Sequence, residues 1–143
     1  MFIGEYSHSL DLKGRLAIPA KFRKRLSSGA VVTRGLDCCL FLYTAEEWLK
    51  LAAKLSSLPI ARAKSRAFSR LMLAGAMDVR IDRQGRILIP DYLRQYAGLS
   101  RQAIVAGLYT RLEIWDAAIW KKYKVKTEKD SIEIAEAMGE LGV

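Results

Sequence analysis

Two short stretches of this chain share residue types and spacing that could hold an anion: Asp11-Leu12-Lys13-Gly14-Arg15 and Asp82-Arg83-Gln84-Gly85-Arg86. Both read D-x-x-G-R, and each runs into an apolar stretch closed by proline, Leu16-Ala17-Ile18-Pro19 in the first and Ile87-Leu88-Ile89-Pro90 in the second. Gly14 and Gly85 permit a tight or left-handed turn, so Arg15 and Arg86 leave that turn at a defined position. An arginine fork can make two hydrogen bonds to a phosphate, or to O6 and N7 of guanine. Lys13 and Arg83 add a further cation to each tip. Asp11 and Asp82 are acidic at a place meant for an anion, so their role points inward, accepting turn amides or orienting the arginine. The pattern leaves one alternative open, that Asp11 and Arg15 simply close a hairpin by a salt bridge.

Charge favours a polyanionic partner. The 143 residues carry 24 basic and 15 acidic groups, a net charge of +9 with a pI near 9.8, which suits nucleic acid but also an acidic membrane or protein surface. The basic residues concentrate between Lys13 and Arg25, between Arg62 and Arg86, and at Lys121, Lys122, Lys124 and Lys126, whereas the segment after Thr127 is acidic overall. Other classes find little support. The one histidine, His8, has no recognisable nucleophile partner, and no glycine loop of the Walker type is present, so no enzyme is expected. Cys38 and Cys39 are adjacent and poorly placed to pair, and with His8 they fall short of a zinc pattern, so neither metal nor cofactor nor small-molecule substrate is expected. No apolar run reaches the roughly 20 residues needed to span a bilayer. The start of the chain lacks a basic region followed by a long apolar one, and a cytoplasmic protein is expected.

The elements that must position these turns repeat as well. At an offset of 71 residues Gly4, Asp11, Gly14, Arg15, Ile18, Pro19 and Arg23 meet Gly75, Asp82, Gly85, Arg86, Ile89, Pro90 and Arg94. After a one-residue slip Gly35, Leu36, Leu40, Ala45 and Trp48 meet Gly107, Leu108, Leu112, Ala117 and Trp120. Each repeat reads as strand, turn, strand, short helix, strand, strand. The first strands are expected near Glu5 to Leu10 and Ala76 to Ile81, and the second through Arg15 to Ile18 and Arg86 to Ile89. Proline cannot continue a ladder and is tolerated where a helix begins, so Pro19 and Pro90 should open helices Ala20 to Leu26 and Asp91 to Tyr96. Val31 to Thr33, Ile104 to Ala106, Cys39 to Tyr43 and Leu112 to Trp115 read as further strands, with Gly35 and Gly107 in the intervening turns. Thr44 with Glu47, and Asp116, read as helix N-caps. Ile60 to Ala74 reads as an amphipathic helix whose Arg62, Arg66 and Arg70 stack at spacing four, either as a solvated face or as a contact for phosphate or an acidic neighbouring subunit. Ile132 to Gly139 is a weak helix pattern, expected to be the least ordered part.

These residues carry a resemblance. The paired turns with their prolines, the run from Gly35 to Tyr43 and Ala97-Gly98-Leu99 resemble the MraZ family of bacterial transcriptional regulators of the division and cell wall gene cluster, over most of residues 1 to 123. The stretch Asp82 to Pro90 with Leu93-Arg94 is also similar to the hairpin of the AbrB family of DNA-binding proteins. The resemblance implies a β-rich α+β fold, in which two tandem AbrB-like swapped-hairpin repeats interleave into one pseudo-two-fold domain with additional helices. The expected divisions are residues 1–54 and 75–126 for the repeats with their following helices, 55–74 for a connecting helix and 127–143 for a tail. It further implies a ring-like homo-oligomer, associated with the nucleoid, on double-stranded promoter DNA carrying repeated boxes. Arg15 and Arg86 are the DNA contacts it implies, with Arg23, Lys24 and Arg94 on the helices after proline. Gln84 in place of Lys13, and Gln95 in place of Lys24, make the two tips unequal. An antitoxin-like or other protein-binding module on the same fold is the alternative.

Overall fold

A computed structural model describes residues 1–143. The first repeat contributes β1 (Phe2–Ser9), β2 (Arg15–Ala17), α1 (Ala20–Leu26), β3 (Ala30–Arg34), β4 (Leu40–Thr44) and α2 (Ala45–Ser56). After α3 (Ala63–Ser69) the second contributes β5 (Met77–Val79), β6 (Arg86–Leu88), α4 (Asp91–Ala97), β7 (Gln102–Tyr109), β8 (Arg111–Asp116) and α5 (Ala117–Lys129), followed by α6 (Ser131–Met138).

Within each repeat the third and fourth strands pair, β3 with β4 and β7 with β8, and every other pairing crosses between the repeats. A six-stranded antiparallel sheet runs β1-β7-β8-β4-β3-β5, and β2 and β6 form a separate two-stranded ribbon. The first strand of each repeat lies on the third strand of the other, β1 on β7 and β5 on β3. The fourth strands meet at the sheet centre, Leu40 opposite Ile114, and the second strands meet in the ribbon, Leu16 opposite Ile87. A pseudo-two-fold axis therefore passes between β4 and β8 and through the ribbon. The repeats are interleaved, and neither could bury its strands alone.

Strand alternation sends side chains to both faces of the large sheet. Along β4, Leu40 and Leu42 enter one core, with Leu16, Ile18, Phe22, Ile87, Ile89 and Leu93 of the ribbon and of α1 and α4. Phe41 and Tyr43 enter a second, with Leu55, Met72 and Trp115, against which Trp48, Ile119 and Trp120 of α2 and α5 pack. A strand covered on both faces reads as continuous apolar sequence, and β4 is Leu-Phe-Leu-Tyr-Thr. Pro19 and Pro90 stand immediately before α1 and α4 with φ of −49° and −57°, and Gly98 closes α4 in the left-handed region at φ 60°. Thr44 caps α2 by accepting from the Glu47 amide at 3.2 Å. Asp116 caps α5 by accepting from the Ala118 amide at 3.1 Å.

Three expectations change. Gly107 lies inside β7 opposite Gly4 and Leu112, and the turn falls at Tyr109, whose φ is +63°. A Cβ on Gly107 would come within 2.5 Å of the Ile3 amide nitrogen, so close strand approach, not a turn, explains this glycine. The segment Ile60 to Ala74 is not one helix: a turn precedes Ala63, and residues Arg70–Ala74 widen into a π-helical turn. There the buried Thr33 hydroxyl donates to the Met72 carbonyl at 2.6 Å, a side-chain partner for a carbonyl of the widened turn. The second repeat's first strand shortens to Met77–Val79: β3 begins at Ala30, opposite Val79, and the π-helical turn holds the chain up to Ala74.

Thr33→Val keeps the shape but leaves the Met72 carbonyl without that donor, and should lower unfolding stability by about 1–3 kcal/mol in urea titrations.

Candidate nucleic-acid interface

Both D-x-x-G-R stretches fold into the same turn. Asp11 N–H donates to the Arg15 carbonyl at 3.0 Å and Gly14 N–H to the Asp11 carbonyl at 3.0 Å, while in the second copy the corresponding Asp82–Arg86 and Gly85–Asp82 bonds are 2.8 and 3.0 Å. Gly14 and Gly85 have φ of +89° and +77°, which accounts for glycine there. One carboxylate oxygen of Asp11 accepts from the amides of Lys13 (3.0 Å) and Arg15 (2.9 Å), and the other accepts from Arg15 Nε at 2.6 Å. Asp82 repeats this with the Gln84 amide (2.8 Å), the Arg86 amide (2.9 Å) and Arg86 Nε (3.0 Å). Each aspartate thus ties the turn with one oxygen and aims the arginine with the other. The salt bridge and the presentation of a cation coexist, because only Nε is used by the turn's own carboxylate.

The tips are not equivalent. Arg86 Nη1 also reaches Asp11 Oδ2 at 3.6 Å, since the ribbon is short enough for its two ends to touch. Arg15 makes no matching contact with Asp82. Lys13, Lys24 and Arg83 are exposed and form no ion pair. Leu12, which occupies in the first tip the place that Arg83 holds in the second, is 92% exposed. An apolar residue at the end of a charged tip was not singled out by the repeat; its mismatch with Arg83 was the available signal.

Behind the tips the repeats lock each other. Ile18 N–H donates to the Gly85 carbonyl at 2.9 Å, and Ile89 N–H to the Gly14 carbonyl at 2.8 Å. Arg23, on α1, donates from Nε to the Ile18 carbonyl at 2.8 Å and lies so close over Gly85 that a Cβ there would sit 2.2 Å from the guanidinium carbon. Arg94, on α4, donates to the Ile89 carbonyl and to the Lys13 carbonyl at 3.3 Å, and covers Gly14. Each helix arginine therefore braces the turn of the other repeat. Sequence placed Arg23 and Arg94 at equivalent positions; that they cross over is visible only in three dimensions.

The electrostatics follow from these bonds. The Asp11 carboxyl is held below the ordinary value of 3.8 chiefly by the Arg15 amide, partial burial opposing, with the Arg15 side chain and Lys13 amide assisting. Asp82 is lowered in the same way, first by the Arg86 amide and, against partial burial, by the Gln84 amide and the Arg86 side chain. His8 is lowered by burial and by the Arg23 charge. Cys39 is buried with its thiol pushed well up, and Cys38 is exposed, both unpaired. No three His, Cys, Asp or Glu side chains gather where they could hold a metal ion, and no helix is long and apolar enough to cross a membrane.

A carboxyl lowered on folding contributes stability that is complete above its unfolded value and is lost as the pH falls through its lowered folded value. The tips should therefore loosen in acid below about pH 4, and Asp11→Asn with Asp82→Asn should flatten that part of the pH profile of urea stability. Gly14→Ala would force a Cβ to 2.8 Å from the Ile89 carbonyl and displace Arg94. It should cost about 2–4 kcal/mol. Gly29→Ala, strained in φ but with open space around it, should cost about 1 kcal/mol by the same titration.

Comparison with known proteins agrees with the two-repeat architecture. The MraZ family model, described as "MraZ protein, putative antitoxin-like", matches twice, over residues 1–71 and 72–140. Proteins named transcriptional regulator MraZ are similar over the whole chain and their own whole length: 50% identical over 143 residues in Acetivibrio thermocellus, 47% over 143 in Thermoanaerobacter sp., and 48% over 143 in Halothermothrix orenii. With both repeats matched and full-length identity near one half, the chain belongs to the MraZ family.

Proposed function

We propose that this protein is a sequence-specific DNA-binding transcriptional regulator of the division and cell wall gene cluster, acting without catalysis as a ring-like homo-oligomer on repeated promoter boxes. The observation that carries the reading is the pair of aspartate-oriented arginines, Arg15 and Arg86, on braced turns at the two ends of one short ribbon. The relatives' printed name, transcriptional regulator, agrees with it. Arg15 and Arg86 read base edges with the Nη groups that their own turn carboxylates leave unused, Arg86 Nη1 being shared with Asp11, and Lys13, Lys24 and Arg83 take phosphates. Arg23 and Arg94 act first by bracing the tips, and present their remaining donors to the backbone of the same DNA segment. Leu12 suits the methyl group of thymine. Several subunits presenting tips at regular spacing raise affinity through effective concentration, which one pair of tips would not reach. Such a regulator works in the cytoplasm, on the nucleoid. An antitoxin-like protein partner is the competing reading.

Arg15→Ala or Arg86→Ala should each weaken binding to a cognate promoter fragment by about 1–3 kcal/mol while leaving thermal unfolding nearly unchanged. Fluorescence-anisotropy titration measures this. Wild-type affinity in a folded double variant would refute the assignment. Lys13→Ala or Arg83→Ala should weaken all sequences alike and reduce the salt slope by about 1.

A further inference from the structure

The end of the chain and the helix between the repeats carry complementary, unused surfaces. Along α6 and the 3-10 turn Gly139–Leu141 that follows it, Ile134, Met138 and Leu141 fall at spacings of four and three, and Glu133, Glu136 and Glu140 fall at three and four. Every residue from Ser131 to Val143 is exposed, and none of these glutamates forms an ion pair. Burying so apolar a stripe is favourable, and its own chain covers it only in part, leaving Ile134 42%, Met138 39% and Leu141 72% exposed. On the other side lies a cleft of about 300 Å³ between α2 and α3, whose lining includes Leu55, Leu58, Ile60, Arg66, Arg70 and Leu73. Ile60 is 83% exposed. From Pro59 to Gly75 there are four cations, Arg62, Lys64, Arg66 and Arg70, and no acidic residue. None of the four has an acidic partner within the chain, and only Arg66 is bonded, to the Ile60 carbonyl at 3.0 Å.

We propose that α6 of one copy docks in the α2–α3 cleft of a second copy, its apolar stripe against Ile60, Leu58 and Leu73 and its glutamates against the arginine row. The occupant is a second copy because the acidic, apolar-striped helix that matches this basic, apolar-floored cleft is present in the same chain. A donor helix and an acceptor cleft on different surfaces make a head-to-tail contact, which closes into a ring when the rotation per subunit permits. The contact rests on the homo-oligomeric reading above and supplies its joint. It also gives the acidic tail a role that keeps it away from DNA.

Charge reversal tests it on the full chain. Arg62→Glu with Lys64→Glu and Arg70→Glu changes three side chains that bond nothing within the chain, and Glu136→Lys with Glu140→Lys changes the tail toward charges that suit a helix C-terminus. The first set takes the side-chain charge of the Pro59 to Gly75 stretch from +4 to −2, and the second takes that of Ser131 to Val143 from −3 to +1, so that in each variant cleft and tail are alike in sign. Each should shift sedimentation toward smaller species, with assembly weakened about tenfold or more at low salt and circular dichroism unchanged. Mixing the two variants restores opposite signs at every contact between unlike chains, so the mixture should regain the wild-type size. A wild-type oligomer whose size neither reversal moves, or variants that stay small when mixed, would overturn the contact while leaving the oligomer standing. A wild-type chain that sediments as a monomer would overturn the oligomeric reading as well. Loss of DNA binding by the cleft variant with unchanged assembly would assign the face to nucleic acid and overturn the contact.

Discussion

The exchange of backbone between the two turns is the constraint on which the rest depends. Ile18 N–H bonds the Gly85 carbonyl and Ile89 N–H bonds the Gly14 carbonyl, so neither turn is complete without the strand of the other repeat. Arg23 and Arg94 cross in the same sense, each pressed onto the opposite glycine. With the helices braced this way, Phe22 and Leu93 reach one core, and β1 and β5 are drawn onto the opposite repeat's third strands. The interleaving of the sheet and the rigidity of the tips are consequences of one reciprocal arrangement. Fixing arginines before a ligand arrives lowers the ordering cost of binding.

Reciprocity of the backbone is not matched by the side chains. Arg86 shares Asp11 with Arg15, and Leu12 projects where the second tip carries Arg83. Two carboxylates thus hold two arginines unequally, one of them between both acids. A pseudo-symmetric ribbon with unlike ends suits a partner whose own two halves differ, as neighbouring base steps of a duplex do.

Much of this was legible in the chain because the repeat has a fixed offset. The turns, the prolines before α1 and α4, and the caps at Thr44 and Asp116 follow from local chemistry: left-handed φ at glycine, the missing amide of proline, and a side-chain oxygen placed for a free helix amide. The crossing of Arg23 and Arg94 was not legible, since repeat equivalence says nothing about which copy a side chain touches. Gly107 was misread because a glycine between apolar runs looks like a turn, whereas here it admits β1 at close range. The break at Arg70 escaped because helix periodicity persists through a π-helical turn, and its anchor, the Thr33 hydroxyl, lies 39 residues away in sequence.

The central claim is that two unlike, mutually braced tips per chain read DNA in repeated units. Selection of bound fragments from a random duplex pool, followed by sequencing, tests it most directly. The account predicts enrichment of a short box recurring at regular spacing, with a guanine at the positions that Arg15 and Arg86 read. Fragments retained by the wild-type protein without any common box, or with a single unrepeated box, would contradict it.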